Sequence, residues 1–181
     1  MKVIPTNLRD CFIIEPSVYV DHRGHFLEVF NKRALEGALN HSLEFVQDNL
    51  SISKKGVLRG LHFQNGVDAQ AKLVQVIKGE VLDVVVDLRK NSPTFKQHFK
   101  TRLSDQKIQL LFIPKGMAHG FLALQEDTVF TYKCDAYYAK ESESGIIYND
   151  HELGIDWEFP EADFILSEKD QKLPRLRNLV L

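Results

Sequence analysis

The chain has 181 residues, a formal charge of -2 and 44% hydrophobic residues, enough apolar material and length for a substantial core. That balance excludes a basic nucleic-acid footprint, so an anionic ligand has to be met by a local cluster of cations. Its apolar runs, such as Leu110 to Ile113, are too short to span a bilayer. Residues Met1 to Pro5 lack the apolar stretch of a secretion signal, and Cys11 and Cys134 form neither a disulfide framework nor a zinc pattern. The expectation is one cytoplasmic domain over residues 1–181, with no membrane and no nucleic acid among its partners.

In chain order, the first dense polar cluster is Asp21-His22-Arg23-Gly24-His25-Phe26. It reads as a turn at Gly24 that enters an apolar strand from Phe26 to Phe30, with Arg23 either solvated or clamping a phosphate through its forked guanidinium. Asn31 is placed to cap a short helix from Arg33 to Leu39, with Leu35 and Leu39 one turn apart on one face. Gln47 and Asn49 follow as polar groups with no distinctive spacing. From Leu73 to Leu88 the chain is rich in Leu, Val and Ile, and Lys78-Gly79 divides it as a hairpin turn does. In the second half Leu82, Val84, Val86 and Leu88 share one face, with Asp83 and Asp87 on the other.

Two further strands are expected over Ile108 to Ile113 and Thr128 to Cys134, both rich in β-branched and aromatic residues. Pro114-Lys115-Gly116 and Gln125-Glu126-Asp127 break the chain around them. Ser167 is positioned to cap a one-turn helix with Asp170 at the capping-box position. Many short strands, few helix signals and no internal repeat predict an all-β protein: an antiparallel sandwich or barrel of the jelly-roll kind, with a few short helices.

The chemistry is most legible around His62, in the run Arg59-Gly60-Leu61-His62-Phe63-Gln64, with Lys72 beginning the next apolar segment. Imidazole titrates near neutral pH, and two flanking cations suit proton abstraction from an anionic substrate. A metal site is the competing reading. Pro114-Lys115-Gly116-Met117-Ala118-His119 has the spacing of the second cupin motif, but the first motif, where metal cupins carry two histidines, here holds His62 and then Gln64. Two imidazoles fall short of the three protein ligands a catalytic metal usually has, and Lys72 would repel the ion. A base needs a group to orient it, commonly a carboxylate, and Asp83 and Asp170 are both candidates. Tyr132 shares its strand face with Phe130 and Cys134, so composition alone makes it a core tyrosine.

Taken together and in order, Asp21–Phe26, Val46-Gln47-Asp48-Asn49, Arg59–Gln64, Ala69-Gln70-Ala71-Lys72-Leu73, Pro114–Phe121 and Tyr132-Lys133-Cys134-Asp135 closely resemble the dTDP-4-dehydrorhamnose 3,5-epimerase family. The resemblance runs from about Val3 to the Leu166–Asp170 segment. It implies a cupin-type jelly roll with no metal and no cofactor, usually a homodimer whose strands cross between subunits. The partner is a dTDP-linked 4-keto-6-deoxy sugar, and the reaction inverts C3 and C5 through an enolate. By match to the family pattern, His62 is the base, Asp170 the carboxylate that orients it, Tyr132 the acid on the opposite face, and Lys72 the cation at the enolate oxygen. Arg23 and Arg59 match the pyrophosphate cations. Phe26, Glu28, Gln47, Asn49, His119, Tyr138 and Lys169 match positions lining the nucleotide and sugar site. Phe63 stands where many relatives carry Tyr, on the strand face away from His62. Alternatives that remain are epimerisation of C3 or C5 alone, a metal-dependent cupin enzyme, and a sugar-nucleotide-binding jelly roll without catalysis.

Overall fold

A computed structural model describes residues 1–179; Val180 and Leu181, the end of the expected 1–181 domain, lie outside the described residues. The first strands are β1 (Lys2–Pro5), β2 (Phe12–Glu15), β3 (Val18–Asp21) and β4 (Gly24–Leu27), followed by helix α1 (Lys32–Leu39). Next come β5 (Gln47–Ser53), β6 (Leu58–Gln64), β7 (Lys72–Lys78), β8 (Glu80–Asp87) and β9 (His98–Ser104). The chain continues through β10 (Leu110–Ile113), β11 (Met117–Ala123), β12 (Thr128–Cys134), β13 (Glu143–Gly145) and the one-turn helix α2 (Glu168–Gln171).

Two antiparallel sheets face each other. One has six strands in the order β1-β2-β10-β7-β12-β5, the other five in the order β13-β6-β11-β8-β9. Between them lies a core of Val74, Val76, Val81, Val85, Leu103, Leu111, Ile113, Phe121 and Phe130. This is the expected all-β jelly roll with few and short helices.

Lys78-Gly79 is not a hairpin turn. Strand β7 pairs with β10 and β12, whereas β8 pairs with β9 and β11, so the break is a corner where the chain passes from one sheet to the other. Gly79 takes a positive φ of 86°, and a Cβ there would come within 2.6 Å of Thr128 Oγ1. Alternation along β8 holds, but both of its faces are buried. Leu82, Val84, Val86 and Leu88 point outward, under a C-terminal cover that includes Ile146, Leu153, Trp157 and Leu176. Asp83 and Asp87 therefore lie inside the protein, and each finds partners there.

Helix α1 forms as expected: the Asn31 side chain accepts a hydrogen bond from the Ala34 amide, which satisfies one of the free N–H groups of the first turn. Leu35 and Leu39 join Phe30 and Phe45 over part of the outer face of the six-stranded sheet. The strand expected to reach Phe30 ends at Leu27, because Phe30 leaves it to meet the Phe45 ring edge-on at 5.5 Å. Two apolar surfaces stay uncovered: the β3–β4 hairpin, with Phe26 70% exposed, and the outer side of β5, with Leu50 62% and Ile52 63% exposed.

Strands β6 and β11 approach unusually closely at Gly60 and Gly120. A Cβ on Gly60 (φ 130°) would sit 2.5 Å from the Gly120 Cα and 2.9 Å from the His119 carbonyl oxygen. The register shifts between His119 and Phe121, and His62 pairs directly with His119. These two glycines thus set the strand that carries His62. Gly60→Ala is expected to destabilise the fold by about 3 kcal/mol, a fall in Tm of roughly 10 °C, measured by thermal unfolding followed by circular dichroism.

Candidate active site

A cleft of about 540 Å³ opens between the sheets and is lined by Arg59, His62, Lys72, His119, Tyr132, Lys169 and Asp170, among others. Arg59, His62 and His119 come from the five-stranded sheet, while Lys72 and Tyr132 come from the six-stranded one. The remaining wall is the returning C-terminal chain, fastened to β6 by the Leu58 amide donating to the Ile165 carbonyl (3.1 Å) and the Ile165 amide donating to Gly56 (2.8 Å). That return brings Asp170 over His62.

Of the two candidate carboxylates, it is Asp170 that meets His62, its Oδ1 lying 2.6 Å from Nε2. Ser167 caps α2 by accepting from the Asp170 amide at 3.1 Å, so only half of a capping box forms, because the Asp170 carboxylate is engaged with the imidazole. Burial pushes that carboxyl upward, but the bonds from His62 and Ser167 outweigh it and hold Asp170 below its ordinary value. An imidazole with one nitrogen fixed on a buried carboxylate has the other available to take a proton, and the resulting imidazolium is stabilised where it forms.

Asp83 is engaged elsewhere than with His62. It pairs with His119 Nε2 at 2.9 and 3.1 Å, so His119, within β11, has a carboxylate partner. Gln64, by contrast, is committed to backbone: its Nε2 donates to the Asp68 and Tyr137 carbonyls and its Oε1 accepts from the Ala139 amide. Among the described residues no three His, Cys, Asp or Glu side chains converge as a metal site requires.

Tyr132 does pack with Phe130, ring centroids 6.2 Å apart, yet it also lines the cleft. Lys72 Nζ lies 5.8 Å from the centre of its ring, a cation–π distance. Burial lowers the Lys72 pKa, opposed by the Cys134, Glu143 and Asp83 charges. Burial also raises the Tyr132 phenol, with Cys134 adding to the rise and Arg59 opposing it, so at neutral pH the phenol keeps its proton. Arg59 Nε donates to Ser53 Oγ at 3.3 Å, which aims the guanidinium along β5.

Tyr138, Gln47 and Asn49 are not in the lining of this cleft, but they connect to residues that are. The Tyr138 hydroxyl donates to Glu143 at 2.9 Å, and Glu143 pairs with Lys169. Gln47 Nε2 donates to Asn49 Oδ1, and Asn49 is the cross-strand neighbour of Tyr132. Arg23, Phe26 and Glu28 are not brought into this cleft. Arg23 is exposed on the hairpin and paired with Asp21 at 2.6 Å, while the Glu28 carboxylate accepts from Asn31 at 3.0 Å.

Two groups escaped the sequence reading, one paired with a cleft residue and one in the cleft lining. Glu143 lies in a charged run, Lys140-Glu141-Ser142-Glu143, that looks like a solvated loop. Ser51 alternates with Asn49 and Ser53 on the inner face of β5. Its Oγ is buried without a protein partner among the described residues and lines the cleft.

These features define a cupin-type jelly roll whose cleft has an imidazole paired with a carboxylate on one wall and a phenol on the other, with Arg59 and Lys72 also in the lining. A family model for dTDP-4-dehydrorhamnose 3,5-epimerase matches residues 5–178, and the chain belongs to that family. It is 48% identical to the Salmonella typhimurium dTDP-4-dehydrorhamnose 3,5-epimerase over 181 residues, covering 100% of this chain and 98% of that protein. The crystal structure of the Elizabethkingia anophelis enzyme of that name superposes with a TM-score of 0.96 at 51% identity, over 98% of this chain and 97% of that one. The Legionella pneumophila epimerase in complex with dTDP-4-keto-L-rhamnose superposes with a TM-score of 0.94 at 46% identity, over 99% and 94% of the two chains.

Proposed function

We propose that this protein inverts C3 and C5 of dTDP-4-dehydro-6-deoxy-D-glucose, giving dTDP-4-dehydro-L-rhamnose. The observation that carries the reading is the placement of the His62–Asp170 pair on one wall of the cleft and the Tyr132 phenol on the other. Both protons lost are α to the C4 ketone. His62 takes each proton from one face of the ring, Lys72 stabilises the enolate oxygen by charge, and Tyr132 returns a proton from the opposite face. Proton out and proton in leave the sugar's oxidation state unchanged, so the chemistry calls for no redox cofactor. Arg59 takes the pyrophosphate, and Ser51, whose buried hydroxyl lines the same cleft without a partner among the described residues, is a further contact for the substrate.

Arg23, Phe26 and Glu28 complete the site in this reading from a second subunit. An exposed two-stranded hairpin is marginal alone, and its uncovered apolar residues, with Leu50 and Ile52 on β5, supply what a homodimer would cover. Among the described residues no helix is long and apolar enough to cross a membrane, and the proposed compartment is the cytoplasm. Residues 1–181 are proposed to act as one domain.

The test is proton NMR of the dTDP-linked 4-keto sugar in deuterated water. Deuterium uptake at C3 and C5 with formation of the L-sugar is expected; binding without exchange would leave only a carrier of sugar nucleotides, and activity dependent on added metal would restore the metal-cupin reading. The pH dependence is a second check. Lys72 is a cation only below its pKa, and burial lowers that pKa, so kcat should fall on the alkaline side earlier than an exposed lysine would dictate. In Lys72→Arg, whose charge persists beyond pH 12, the alkaline limb should move upward; an unmoved limb would assign it to another group.

A further inference from the structure

We infer that Gln64 is a positioning residue for nucleobase binding, acting through Tyr138. This rests on the proposed function and on taking Tyr138, an exposed ring at a position matching the nucleotide and sugar site, as the contact for the thymine ring. The loop between β12 and β13 carries Tyr137 and Tyr138, both exposed, and four successive residues of its backbone are each held by a glutamine side chain. Gln70 Nε2 donates to the Ala136 carbonyl at 2.9 Å, and Gln64 Nε2 to the Tyr137 carbonyl at 3.1 Å. Gln47 Oε1 accepts from the Tyr138 amide at 2.9 Å, and Gln64 Oε1 from the Ala139 amide at 2.8 Å.

Gln64 alone bonds on both sides of Tyr138. Its second N–H goes to the Asp68 carbonyl at 2.7 Å, so the amide is fixed in one orientation, and at 5% exposure water does not compete for it. It lies two residues beyond His62 on β6. One strand thus carries the proposed base and also the clamp that sets where the aromatic ring of Tyr138 stands relative to it. The Tyr138–Glu143–Lys169 chain, which reaches the cleft lining at Lys169, depends on that ring position.

Gln64→Met keeps the length of the side chain and removes all three bonds. A net loss of about 1.4 kcal/mol, typical of one or two such bonds, is a tenfold change in affinity. The expected result is a Kd for dTDP and a KM for the sugar nucleotide each raised about tenfold. Inhibition by inorganic pyrophosphate, which lacks the base, and kcat at saturation should both be unchanged. Gln70→Met, removing one bond, should shift dTDP binding in the same direction by less, and it tests the clamp even if Gln64→Met does not fold. A purely structural Gln64 would lower Tm while leaving KM and the dTDP Kd alone, and that outcome overturns the inference. Tyr138→Ala separates the two layers: if it leaves dTDP binding intact, the reading of Tyr138 fails and the inference with it. If it weakens dTDP while both glutamine variants bind normally, only the inference fails.

Discussion

Replacing His62 with alanine is expected to stop solvent deuterium entering the sugar at C3 and at C5 alike, with the rate at saturating substrate falling by about 10²- to 10⁴-fold. The reason is structural. The proton acceptor proposed for the five-stranded wall is this imidazole, and the 2.6 Å bond to Asp170 serves it alone. Four other titratable groups of the cleft are unsuited to replace it. Lys72 and Arg59 are cations, His119 is held by Asp83 at 2.9 Å, and the Tyr132 phenol is pushed toward its protonated form. Binding of dTDP should persist, because Arg59 and the Tyr138 loop are untouched. Full exchange at either carbon in the variant would remove His62 from the role of base at that carbon.

Tyr132→Phe is expected to divide the two inversions. The ring, its packing on Phe130 and its contact with the Lys72 ammonium all survive; only the hydroxyl is lost. His62 can then still remove the C3 proton and return it, so partial exchange at C3 persists. Delivery of a proton to the opposite face at C5 loses its donor, and the yield of the doubly inverted sugar should drop by about 10²-fold or more. The measurement is the ratio of exchanged substrate to L-product by NMR over time. An unaltered ratio would show that water or another group supplies that proton.

How much of this was legible in the sequence differs from element to element. Strand β12 was readable to the residue, because its β-branched and aromatic run is bounded by clear breaks. The cap of α1 was readable because Asn31 acts on its own helix. Local alternation told which residues of β8 share a face, but not that both faces are buried. That depends on a C-terminal cover some 60 or more residues away. The corner at Gly79 looked like a hairpin because a glycine with positive φ serves either purpose, and only pairing to other strands distinguishes them. His62 stood out by itself, whereas the choice between Asp83 and Asp170 required a contact across 108 residues. Tyr132 resembled a core residue because on one side it is one. Arg23, Phe26 and Glu28 matched family positions by motif, yet within this chain they lie away from the cleft, since a motif fixes neighbours in sequence and not where the hairpin sits in space.

His62 and Tyr132 belong to different sheets, so nothing in the backbone of either strand fixes the gap between them. That gap is set by the side chains filling the sandwich, above all the stacked pair Phe121–Phe130, 4.2 Å between centroids, next to Tyr132. Facing sheets sit about 10 Å apart, and a change of core volume by one or two methylenes alters how neighbouring groups are held. The core therefore works as a spacer between the proposed donor and acceptor. Substitutions far from the sugar, with every catalytic side chain intact, can retune how long the ring dwells against the phenol and hence whether one carbon or two leaves inverted.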